Sequence, residues 1–130
     1  MKPTFHEYYP LDEQKQRAQL TMGRYTDKWS LLVILLLREG PQRFNAIKRA
    51  LKTISQQVLS TTLTGMERDG IVVRTVLPTT PPGVEYRLSE LGHSLAQPFL
   101  ILGQWLLDNM PEIEKAQQLY DARMKAAKEL

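Results

Sequence analysis

The chain has 130 residues, of which 42% are apolar and 24% charged, with a net charge of +3 and no cysteine. That is the composition of an ordinary globular domain, and it excludes disulfides, thiolate nucleophiles and thiol-based redox sensing. The longest apolar run, residues 31–37, is too short to cross a bilayer and the N-terminus lacks a signal-peptide core, so a cytoplasmic protein away from the membrane is expected.

Residues 1–10 read as irregular chain. A polar stretch over 11–25 is predicted to form the first helix, and Asp27 is an N-cap for a second. That second helix, "KWSLLVILLLREG", is apolar nearly all round and belongs at the centre of the core, Trp29 included. Gly40 and Pro41 close it. "RFNAIKRALK" follows, with Phe44, Ile47, Ala50 and Leu51 on one stripe and basic residues elsewhere. After the turn "KTI", Ser55 caps a helix running to the Asp69-Gly70 pair. Two short helices joined by a turn form a helix-turn-helix candidate.

From Ile71 the texture becomes β. "IVVRTVLP", the turn "TTPPG" and the alternating "VEYRL" make one two-stranded hairpin over 71–88, the only β structure expected. Ser89 caps a further helix with Leu91, Leu95, Phe99, Leu102, Trp105 and Leu106 at helical spacing, which Pro98 should kink or divide. A last helix is expected after Pro111, with Ile113, Ala116, Tyr120, Met124 and Ala127 as its stripe. The order predicts a mainly α protein with a small β-hairpin, a winged helix-turn-helix, read as a single domain over 1–130.

The charge distribution points to a polyanion. Between residues 38 and 87 stand eight basic side chains against four acidic ones. Arg43, Lys48, Arg49, Lys52, Ser55, Arg74 and Arg87 are the candidates for phosphate contact, with Thr79 and Thr80 as further donors at the hairpin tip. On the recognition helix, 55–69, Val58, Leu59, Leu63 and Met66 form the apolar side. Gln56, Gln57, Ser60, Thr61 and Thr64 present amides and hydroxyls, with no carboxylate before Glu67. Glutamine pairs bidentately with adenine, and short hydroxyl side chains bond several bases. Catalytic readings find no support: there is no phosphate loop, metal-ligand pair or nucleophile elbow, and the two histidines, His6 and His93, make no metal site. No cofactor is expected.

The run from Asp27 to Leu95 resembles the HxlR family of bacterial winged-helix regulators. The matching pieces are "KW" (Lys28, Trp29), "G-x-x-RF" (Gly40, Arg43, Phe44), "IS" (Ile54, Ser55) and "L-x-x-x-L" (Leu59, Leu63). Then come "DG-x-x-x-R" (Asp69, Gly70, Arg74), "PP-x-VEY-x-L" (Pro81, Pro82, Val84, Glu85, Tyr86, Leu88), "L-x-x-L-G" (Leu88, Leu91, Gly92) and Trp105. The resemblance implies a homodimeric transcription regulator on roughly palindromic double-stranded DNA, with the dimer built from the 11–25 helix and the 89–130 helices. Leu20, Met22, Tyr25, Leu102, Trp105, Leu106 and Met110 fit such an interface. It leaves room for a small-molecule effector. Three departures stand out: the missing cysteine, Gly83 in place of a basic residue before "VEY", and Thr61, Thr62, Thr64 and Gly65 where arginines are frequent. A protein-interaction module that uses the same surfaces without specific DNA binding is the alternative, since the recognition helix is neutral over most of its length.

Overall fold

The computed structural model describes residues 12–129, so the irregular stretch expected over 1–10, Leu11 of the first helix, and Leu130 lie outside the described residues. Two compact units divide the chain, one ending at Ala96 and one beginning at Gln97.

The first unit opens with α1 (Glu13–Tyr25), started by the Asp12 carboxylate, which accepts from the Lys15 backbone N–H at 2.8 Å. The only residue of α1 that is buried is Tyr25. In α2 (Lys28–Leu37), capped by Asp27, Val33, Ile34 and Leu37 are fully buried at the centre of the core, while Trp29 is half-buried under the Lys28 ammonium, 4.3 Å from its ring. α3 (Phe44–Leu51) is strongly one-sided and drives Ile47 into that core, although Ala50, expected on the same stripe, is exposed.

α3 ends at Lys52, whose φ of 53° and ψ of −77° are those of a strained γ-turn. Ile54 is then buried, and the Ser55 hydroxyl accepts from the Val58 N–H at 3.1 Å to start α4 (Gln56–Arg68). Leu59, Leu63 and Met66, spaced four and three residues apart, form the buried line of α4. Val58, expected beside them, faces outward at 41% exposure. It lies about 100° around the helix from Leu59, beyond the edge of the core.

The C-terminus of α4 is closed by a Schellman motif. Gly70 N–H donates to Glu67 C=O and Ile71 N–H to Met66 C=O, with Gly70 at the positive φ of 76° that the motif requires. β2 (Val72–Leu77) pairs antiparallel with β3 (Gly83–Leu88), in register from Val72–Leu88 to Leu77–Gly83. The hairpin is as expected, but the sheet has a third strand. β1 (Gln42–Arg43) pairs with the far edge of β3, giving the order β1-β3-β2. Two residues show no alternation, so only tertiary pairing reveals such a strand.

Ser89 ties the wing to the last helix. Its N–H donates to Ile71 C=O, its hydroxyl donates to Gly70 C=O at 2.6 Å, and its oxygen accepts from Gly92 N–H. A Cβ at Gly92 would overlap the Ile71 carbonyl oxygen, so only glycine allows this approach. α5 spans Glu90–Glu129 as one helix, a correction to the two helices expected. Pro98 and Pro111 both sit on exposed positions, where water can take the carbonyls they release. The buried line of its first turns is Gly92 and Ala96, whereas Leu91 is exposed.

The second unit is the α5 segment from Gln97 onward. Ile101, Leu102, Trp105, Leu106 and Leu107 are exposed there, as are Leu119, Tyr120 and Met124 further on. Among the described residues no helix is long and apolar enough to cross a membrane.

Candidate nucleic-acid interface

Three elements of the first unit converge on one open cleft: the start of α3 with β1, one flank of α4, and the wing. Of the residues singled out from the sequence, Arg43, Arg49, Gln56, Ser60, Thr64 and Arg74 line it together. They come from four separate elements, β1, α3, α4 and β2. Gln56, Ser60, Thr64 and Glu67 share one flank because they recur every three or four residues along α4. Arg74 faces the same way as Tyr86, its partner across the β2–β3 ladder.

Gln57 and Thr61 lie on the outer line of α4, beyond the cleft and exposed. Lys48 and Lys52 line a shallow neighbouring concavity with Asn45 and Arg49, so Arg49 bridges the two surfaces. Asn45 was missed from the sequence; its position four residues before Arg49 and three before Lys48 on a short basic helix was the available signal. Ser55 caps the N-terminus of α4 and lines neither surface. Arg87 is not part of the cluster: it does not line the cleft, and because it alternates with Tyr86 it lies on the opposite face of the wing from Arg74.

Electrostatically the site is a set of unmatched cations. Among the described residues Arg17, Arg24 and Arg38 have carboxylate partners, whereas Arg43, Lys48, Arg49, Lys52 and Arg74 form no ion pair. Glu67 and Glu85 also line the cleft, so its net charge is only modestly positive, and the Lys48–Lys52 surface carries the denser positive field. The Arg43 guanidinium lies beside Gly83, with Nη1 3.4 Å from where a Cβ would stand. It places a positive charge at the wing position that lacks one in the sequence.

At the wing tip the Thr79 hydroxyl donates to Pro81 C=O at 2.9 Å and accepts from Gly83 N–H at 3.0 Å. Its proton is therefore committed to the turn, which corrects the expectation that it donates to a phosphate. Thr80 stays exposed. Tyr25, expected at a dimer interface, is buried within the first unit with its hydroxyl on Asp69 at 2.6 Å. Burial, and next the Asp69 carboxylate, push its ionisation well above the usual tyrosine range. No cluster of three histidine or carboxylate side chains able to hold a metal ion occurs among the described residues.

Residues 25–114 match the HxlR-like helix-turn-helix family. The chain belongs to that family. It is a family of DNA-binding transcriptional regulators, not of enzymes, and the winged helix-turn-helix described above is its fold. The uncharacterized HTH-type transcriptional regulator YtfH of Escherichia coli (strain K12) is 35% identical over 88 residues, covering 68% of this chain and 70% of the relative. The HTH-type transcriptional regulator YodB of Bacillus subtilis (strain 168) is 40% identical over 78 residues, 60% of this chain and 70% of YodB. Among solved structures, YtfH from Salmonella typhimurium superposes with a TM-score of 0.72 at 29% identity, covering 78% of this chain and 90% of that one. The redox regulator HypR in its reduced form gives 0.69 at 32% identity, covering 76% and 98%. Unlike a thiol-based sensor, this chain holds no cysteine.

Proposed function

We propose that the protein is a dimeric, sequence-specific regulator that sets α4 in the major groove of double-stranded DNA and its wing on the adjacent backbone or minor groove. The observation that carries this reading is the coincidence on one side of the first unit of unpaired cations and the carboxylate-poor face of α4. Gln56, Gln57, Ser60, Thr61 and Thr64 read base edges. Arg43, Lys48, Arg49, Lys52, Ser55 and Arg74 hold phosphates, and Arg87 reaches backbone only from the outer wing face. Strain at Lys52 is in keeping with a functional position, since such backbone outliers persist where the surroundings enforce them.

A second copy of the chain covers Leu20, which is 82% exposed on α1, together with Met22 and the Leu102, Trp105, Leu106 and Met110 side of α5. Along α5, Phe99, Gly103, Leu106, Met110, Ile113, Gln117, Tyr120, Met124 and Ala127 recur at alternating four- and three-residue steps without one charge. That is the seam of a helix meant to pack against another. A two-fold dimer would present two α4 helices to a palindromic operator at about 34–36 Å, one turn of DNA.

Selection of bound duplexes from a random pool at two salt concentrations tests the reading. The expected result is a palindromic logo with half-sites one turn apart, and binding that falls steeply with salt. Absence of enrichment with salt-insensitive association to a protein would favour the interaction-module reading, to which Glu67 and Glu85 in the cleft lend some support.

A further inference from the structure

A polar node at the far end of α4 serves neither the core nor the cleft. Arg24, at the end of α1, donates from Nε to Asp69 Oδ2 at 2.8 Å, and the Tyr25 hydroxyl donates to the same oxygen at 2.6 Å. Asp69 is the C-cap of α4. The Arg24 guanidinium lies against Gly65, one turn earlier on α4, where a Cβ would overlap Nη1. Behind it, the Ser30 hydroxyl donates to Arg24 C=O at 2.7 Å, and Ser30 is 1% exposed. Gly65 thus has a use that helix propensity alone opposes, because glycine weakens a helix interior.

The rest of α1 gives this node its importance. Tyr25 is the only α1 residue that is buried, so α1 has little apolar packing of its own to fix its direction. We infer that Arg24 is a positioning residue: through Asp69 and Gly65 it sets the angle between α1 and the recognition helix. The inference rests on the reading above, in which α1 joins the dimer and α4 reads DNA. In that assembly the node decides the separation and tilt of the two recognition helices, and so which half-site spacing is accepted.

Two experiments on the full chain test it. The first is a melting cycle with Gly65→Ala in wild-type and Arg24→Met backgrounds. A methyl at position 65 expels the guanidinium and loses the Asp69 pair, so Gly65→Ala is expected to raise the melting temperature more in the Arg24→Met background than in the wild type. An equal shift in both backgrounds overturns the node. The second compares a duplex carrying two half-sites with one carrying a single half-site. Arg24→Met and Asp69→Asn are expected to weaken binding to the double site by about tenfold, a usual size for coupling between linked sites. Single-site binding stays intact and the preferred spacing broadens. Equal losses on both duplexes, or none, would mean the node is merely structural and overturn the positioning role. A wild-type protein that does not distinguish the two duplexes refutes the DNA reading instead, while the melting cycle still decides whether the node exists.

Discussion

The two ends of α4 are built on opposite principles. Its C-terminal half is firmly anchored: Leu63 and Met66 are fully buried, Asp69 carries two hydrogen bonds from α1, and the Gly70 turn closes the last carbonyls. Its N-terminal half is tethered only by Leu59 and the Ser55 cap, and Gln56, Gln57, Ser60 and Thr61 are left exposed. A helix anchored at one end and offered at the other suits recognition, because side chains must meet base edges in a fixed pose without being consumed by the fold. The cations around it divide in the same way. Arg24 is committed to a carboxylate inside the molecule, whereas Arg43, Arg49 and Arg74 are not.

The inner and outer lines of α4 give the largest contrast. Leu63→Ala is expected to cost about 3 kcal/mol, as a cavity opens at a fully buried site, while Thr64→Ala stays within about 0.5 kcal/mol. Chemical denaturation of both variants checks this, and equal losses would mean that Thr64 has a packing role. A smaller effect separates a cation inside the cleft from one outside it. Arg43→Ala is expected to weaken binding to every duplex by about tenfold and to flatten the salt slope by about 0.9. Arg87→Ala, outside the cleft, should change both less; titrations at several salt concentrations would reverse the assignment if Arg87 proved the more sensitive.

At the offered end, Gln57→Ala should change the selected sequence at one base pair, with discrimination falling by about 1 kcal/mol and nonspecific affinity kept. An unchanged logo removes Gln57 from base readout. At the anchored end, Tyr25→Phe is expected to cost about 1 kcal/mol near neutral pH. Because the fold raises the ionisation of Tyr25, its contribution is full below the ordinary tyrosine pKa of about 10 and fades as pH rises beyond it. The gap between wild type and Tyr25→Phe should therefore narrow in alkali; parallel stability curves from neutral pH to pH 11 would sink that account.

Much of the fold was legible because it is local. The caps at Asp27, Ser55 and Ser89, the glycine turn at Gly70 and the alternation of "VEYRL" each declare themselves within a few residues. What escaped was long-range. The strand Gln42–Arg43 exists only through its pairing with Glu85 and Tyr86. Pro98 and Pro111 read as breaks, yet on exposed positions the helix runs through them. Val58 follows the apolar pattern of its neighbours, but the core ends one side chain short of it.

The candidate site followed the same division. Residue types and their helical spacing were enough to mark the amides and hydroxyls of α4 and the bases of α3, since side-chain chemistry and the 3.6-residue turn are properties of the chain itself. Which arginines remain unpaired, which face of the wing Arg74 and Arg87 occupy, and why Gly65 is a glycine were decided only in three dimensions. Each depends on a partner outside its own element: Asp69 lies 45 residues from Arg24, and Tyr86 lies across the hairpin from Arg74. Local sequence determined the elements and their chemistry; tertiary packing decided which charges were neutralised within the molecule and which were left to meet a partner.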